Sequence, residues 1–142
     1  MSNPNPCACT VLRKTSRAVT RFYDEAIAAS GLSISQFALL RTLGRMGPTP
    51  LSQLAEEMVM ERTSLYRMIA PLEARGLVSV TQGAGRARVA ALAPEGRTII
   101  DGIAGTWDAT QARFVRALGE EKWQALRVLL ADATRAAEEI AA

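Results

Sequence analysis

The sequence predicts a mainly α protein with one small β ribbon near its middle. Three observations lead there. Apolar residues recur at three-to-four spacing over six separate stretches, and the spacing shortens to two in one segment between Leu77 and Ala93. Aromatics make up only 5% of a chain rich in Ala and Leu. The 142 residues suffice for a single domain, 1–142, with a core of its own, and 49% apolar with 22% charged residues is ordinary for a globular protein.

The first helix is expected over about Thr10 to Ala29, where Leu12, Val19, Phe22 and Ala26 keep helical spacing and Arg13, Lys14, Arg17 and Arg21 fall largely elsewhere. Gly31 stops it. Ser33 is placed to cap a second helix, Ile34 to about Arg45, whose stripe is Ile34, Phe37, Leu40 and Leu43 and which ends at Gly47-Pro48. Ser52 then caps a short helix with Leu54, Ala55 and Met58 inward. After a break at Val59-Met60 comes a longer one, Glu61–Arg75. Here Leu65, Met68, Ile69 and Leu72 share a face, and Arg62, Thr63, Ser64 and Arg67 lie mostly on another. Pro71 removes one interior hydrogen bond and is expected to bend this helix near Arg67. Leu77–Thr81 and Arg86–Ala93 read as strands around a tip at Gln82–Gly85, with arginines at and just beyond it. Pro94 opens a helix carrying Ile99, Ile103, Trp107, Thr110, Phe114 and Leu118. Past Gly119, the last helix carries Trp123, Leu126, Leu130, Ala133, Ala137 and Ile140.

A short helix, a tight break, a longer helix with a polar, basic start, and then a hairpin form a winged helix-turn-helix, residues 32–94. Its second helix fits the major groove, about 12 Å wide. Arg62 and Arg67 can fork onto guanine edges or phosphates, Thr63 and Ser64 can donate to phosphates, and Arg86 and Arg88 on the wing can reach an adjacent minor groove or its phosphates. The alternative is a winged helix that binds only proteins, its arginines merely solvated. The flanking helices, 10–29 and 95–141, have longer apolar stripes than one such lobe can cover. A second copy of the same helices is the simplest cover, although Trp107, Phe114, Trp123 and Leu126 could instead form an internal core. A twofold dimer implies a palindromic site on double-stranded DNA with half-sites about one helical turn apart.

Charge follows the same division. Residues 30–97 hold eight Arg and five Glu, a net +3, residues 1–29 a net +2, residues 98–119 none, and residues 120–142 a net −2. Histidine is absent, which removes the commonest general base, the commonest transition-metal ligand and the His-dependent triads. With no convergent set of Ser, Asp, Glu or Lys either, no enzyme, cofactor or metal is expected. No apolar run approaches the roughly 18–20 residues of a membrane span. The opening residues have no signal-peptide pattern, so the cytoplasm is the expected compartment.

Several stretches carry a family resemblance that reaches from Cys7 to about Ala131. They are Leu32–Leu40, Leu51–Ala55, Met60–Arg67 and Pro71–Val78, with Cys7-Ala8-Cys9, Leu12-Arg13, Val19-Thr20 and Tyr23-Asp24 as in one common branch. Together they resemble the MarR family, the multiple-antibiotic-resistance type regulators. The resemblance implies a triangular dimer with the terminal helices as base and two winged lobes. It also implies repression of nearby genes, relieved by a small, often aromatic or anionic ligand held between base and lobe. By position, Arg62, Thr63, Ser64 and Arg67 would be recognition-helix contacts and Arg86 the wing arginine. Two features depart from the family pattern: Gly83–Arg86 is short and lacks the acid that usually accompanies the wing arginines, and Leu92-Ala93 replaces the usual Leu-Thr.

Three further features carry candidate chemistry. Cys7 and Cys9 could sense oxidants or be inert; two thiols without histidine are too few for a closed zinc site. Arg17 and Trp107 could line an effector pocket, or be respectively solvated and part of the core. Gly83-Ala84-Gly85 is too short for a phosphate-cradling loop.

Overall fold

Glycines, one serine and one aspartate set several of the helix ends. The structure, a computed structural model, describes residues 5–142. Helix α1 spans Ala8–Ile27 and tightens into a 3₁₀ turn, Ala28–Ser30, which Gly31 closes at φ 73°. Helix α2, Ile34–Met46, begins at Ser33 with a reciprocal capping box: the Ser33 hydroxyl accepts from the Gln36 N–H at 3.1 Å, and Gln36 Oε1 accepts from the Ser33 N–H at 2.9 Å. From α1, Asp24 Oδ1 accepts the Ile34 N–H at 2.7 Å, so one more orphan donor is satisfied across elements.

At the end of α2, Gly47 (φ 77°) turns the chain into a two-residue strand, β1, Thr49–Pro50. This strand is absent from the sequence reading, which took the stretch as a connection. It runs straight into α3, Leu51–Glu57, so Pro50 occupies the cap position and Ser52 lies inside the helix. Ser52 is therefore not the cap expected from sequence. The break Met58–Glu61 contains Val59 at φ 51°, its side chain 67% exposed. Helix α4 covers Arg62–Ala74 with Glu61 as its N-cap, and continues through Pro71.

Strands β2, Val78–Gln82, and β3, Arg88–Leu92, pair antiparallel with Val80 opposite Ala90. Strand β1 lies on the other side of β3, Thr49 opposite Ala90, which makes a three-stranded sheet in the order β1-β3-β2. Helix α5, Pro94–Leu118, starts immediately after β3, and α6 spans Glu120–Ala141.

The chain divides into two compact units, up to Thr106 and from Trp107 onward. The first holds the core: Phe37, Leu39, Leu40, Leu43, Leu54, Leu65 and Leu72 are fully buried and Ala90 closes the sheet side. Each buried leucine contributes roughly 1.5–3 kcal/mol. On α5 the buried side chains of this unit are Ile100 and Ile103; Ile103 is as expected, while Ile99 is only half-buried and Ile100 takes its place. The second unit contains the end of α5, a turn at Gly119 (φ 102°), and α6. Phe114 and Trp123 meet edge to face at 5.9 Å there. No residue of α6 is buried; Val128, Leu129 and Ile140 are 62%, 63% and 85% exposed.

Candidate nucleic-acid interface

Burial orients α4. Leu65, Ile69 and Leu72 point into the core, while Arg62, Thr63, Ser64 and Arg67 are all exposed. Arg62 and Tyr66, four residues apart, share one exposed strip, and Thr63 and Arg67 share the next.

The wing tip is held by its own backbone. The Gly83 N–H donates to the Ala87 carbonyl at 2.7 Å, the Ala87 N–H to Ala84 at 3.2 Å, and the Gln82 amide to the Gly85 carbonyl at 3.0 Å, with Gly85 at φ 63°. Arg86 lies in this tip. Arg88 is the first residue of β3, opposite Gln82, so the returning strand starts two residues later than expected.

A cleft of about 160 Å³ brings part of this together: Pro50, Leu51 and Ser52 from the start of α3, Arg62 and Tyr66 from α4, and Arg86, Ala87 and Arg88 from the wing. Arg62, Arg86 and Arg88 thus converge. Thr63, Ser64 and Arg67 are exposed on α4 outside the cleft. Tyr66 went unremarked in the sequence; its position four residues after Arg62 was the available signal.

The eight arginines of residues 30–97 fall into two groups. Arg45 pairs with Glu57 at 2.8 Å, Arg75 donates to the carbonyls of Gly31 (3.1 Å) and Ser30 (3.5 Å), Arg97 donates to the Gly44 carbonyl at 3.4 Å, and Arg41 lies over the Phe37 ring at 5.6 Å. Arg62, Arg67, Arg86 and Arg88 are exposed and make no hydrogen bond or ion pair among the described residues.

The remaining candidates lie elsewhere. Arg17 lines a shallow cleft on α1 with Ser16, Thr20, Arg21, Asp24 and Glu25. A different cavity, about 300 Å³, is walled by Ala26, Ile27, Ala29 and Ser30 facing Ile99, Gly102, Ile103 and Thr106; Arg17 does not reach it. Trp107 belongs to the second unit and is half-buried. Cys7 and Cys9 are both exposed. Cys7 is the N-cap of α1, and hydrogen bonds from the Thr10 backbone and side chain, then from the Cys9 backbone, hold its thiol below the usual value. Among the described residues no group of three or more His, Cys, Asp or Glu is placed to hold a metal, and no single helix is long and apolar enough to cross a membrane.

Comparison with known proteins agrees with this geometry. A sequence profile described as the MarR family matches residues 32–89. The Mycobacterium tuberculosis transcriptional regulator MosR, solved in complex with DNA, is 31% identical over 94% of this chain and 98% of its own, with a TM-score of 0.86. A probable transcriptional regulator from Pseudomonas aeruginosa is 25% identical over 89% of this chain and 96% of its own, TM-score 0.79. Bordetella bronchiseptica BpsR, whose DNA binding is regulated by 6-hydroxynicotinic acid, shares the fold at 19% identity, covering 95% and 98% of the two chains, TM-score 0.83. No curated protein matches the chain.

Proposed function

Because the chain belongs to the MarR family of DNA-binding transcriptional regulators, we propose that it acts in the cytoplasm as a homodimeric repressor on a palindromic operator, released by a small aromatic or anionic effector. No catalytic step is part of this function.

One observation carries the DNA-facing assignment. Four of the eight arginines of residues 30–97 are tied to the protein, and the four left without partners are those on the start of α4 and on the wing. An unpaired guanidinium is a donor fork available to phosphate or guanine. Arg67 and Arg62 address the major groove through base edges or phosphates, Thr63 and Ser64 donate to backbone phosphates, and Arg86 and Arg88 reach the neighbouring minor groove or its phosphates.

Dimerisation is supported by apolar side chains that one chain leaves uncovered: Val128, Leu129, Leu130 and Ile140 on α6, and Val11 and Leu12 on α1. Two lobes related by a twofold axis would address half-sites about 34–36 Å apart. For the effector, the 300 Å³ cavity between α1 and the start of α5 is the better seat, since its aliphatic walls suit an aromatic ring, whereas the Arg17 cleft lies on one helix. The exposed pair Cys7 and Cys9, with the Cys7 thiol acidified by Thr10, supports a second input through thiol oxidation.

Footprinting on the DNA flanking the protein's own gene, followed by a salt titration of the protected duplex, tests this function. The expected result is a two-fold symmetric footprint and an affinity that falls log-linearly with salt. Binding of no duplex, or an affinity indifferent to salt, would remove it.

A further inference from the structure

We propose that the cleft between the start of α4 and the wing is a seat for a single backbone phosphodiester, and that Arg62 therefore grips the DNA strand while Arg67 is left to read bases. This rests on the DNA-binding function proposed above and assigns a division of labour within it.

The cleft has the chemistry of an anion site. Three residues with unpaired guanidiniums, Arg62, Arg86 and Arg88, line it together with the hydroxyl-bearing Ser52 and Tyr66, and no acidic side chain does. All these groups can donate, which matches a group presenting only acceptor oxygens. Its volume of about 160 Å³ admits one phosphate with part of its sugar and little more. Pro50 and Leu51 form an apolar wall, so part of the bound group would leave bulk water and the guanidiniums would attract it more strongly. Gly83–Arg86 contains no acidic residue that would compete for these arginines.

The cleft also joins two elements. Its walls come from α4 and from the wing, so an anion seated there would fix the hairpin relative to the recognition helix. Tyr66, 44% exposed, lines the cleft, and its hydroxyl has no partner among the described residues. It adds a donor without adding charge.

The test uses the full-length protein and a duplex recovered from a random-sequence library by selection. Duplexes each carrying one neutral methylphosphonate linkage are scanned against the wild type and Arg88→Ala. One linkage per half-site should weaken the wild type by about tenfold and Arg88→Ala by only about threefold, because one of the three guanidiniums at that phosphate is already gone. Arg62→Ala and Arg88→Ala should each lower the salt slope by about 1 without altering base preference, while Tyr66→Phe weakens binding by about threefold with the slope unchanged. If every linkage affects wild type and Arg88→Ala alike, the cleft is not a phosphodiester seat although the protein still binds DNA. If inorganic phosphate, exchanged for chloride at constant ionic strength, displaces DNA while no linkage stands out, the cleft takes a free anion instead. If selection recovers no duplex, the DNA-binding function itself fails.

Discussion

The backbone carbonyl of Leu77 stands against the α-carbon of Gly96: a methyl group there would lie 2.2 Å from the carbonyl oxygen and 2.6 Å from a Leu92 side-chain carbon. The same carbonyl accepts the Ala93 N–H at 3.0 Å. Only a residue without a side chain lets α5 approach the base of the wing so closely. Gly96→Ala should destabilise the fold by about 2 kcal/mol, the middle of the range for overpacking, against the small gain a helical Ala usually brings. Urea denaturation measures it, and a variant as stable as the wild type would mean this approach is looser than described.

The two classes of arginine should separate in one pair of variants. Arg67→Ala should weaken operator binding by about 1–3 kcal/mol and relax base preference, leaving the unfolding midpoint unchanged. Arg75→Ala should do the reverse, losing about 0.5–1.5 kcal/mol of stability as the carbonyls of Gly31 and Ser30 lose their donor. Anisotropy and urea melts on both proteins decide it, and equal effects on affinity would abolish the distinction.

Asp24→Ala removes the acceptor at the start of α2 and should lower stability by about 1–2 kcal/mol, whereas Asp24→Asn keeps an oxygen in place and should lose well under half of that. If Asn and Ala were equally harmful, the charge rather than the hydrogen bond would be the relevant feature.

Leu129, 63% exposed on α6, lies on the face proposed to meet a second copy. Leu129→Glu would bury an unpaired carboxylate there, at about 3–5 kcal/mol. Light scattering at micromolar concentration should give a dimer for the wild type and a monomer for the variant. A wild-type monomer would exclude the paired arrangement.

The Cys7 thiol, acidified mainly by the Thr10 backbone N–H and next by its side chain, should keep reacting with iodoacetamide at lower pH than a free thiol does, because the reactive thiolate persists down to the depressed value. Peptide mass spectrometry on Cys9→Ser protein gives the midpoint. A midpoint at or above that of free cysteine contradicts the acidification, and Thr10→Val should move it upward.

Most helix positions were legible because they depend on local signals: a Ser33 cap with Gln36 three residues on, Gly31, Gly47 and Gly119 at the stops, and period-two residues in the hairpin. What escaped depends on distant partners. Strand β1 is two residues long, one of them proline, and exists only because Thr49 meets Ala90 about forty positions later. That pairing also displaced the cap from Ser52 to Pro50. At the candidate site the arginines were legible as a charge pattern, but which of them are free was not, since Arg75 and Arg97 find their acceptors 44 and 53 residues away. Tyr66 gains a role only where the wing folds beside it.

The separation of the arginines has a consequence for how such a protein changes over generations. Positions 62, 67, 86 and 88 hold nothing within the chain together, so a lineage can exchange them and retarget its binding without first repairing its stability. Drift at 45, 75 and 97 carries no such freedom, because each holds a carbonyl or carboxylate of the scaffold. Addresses can turn over quickly on a body that stays put.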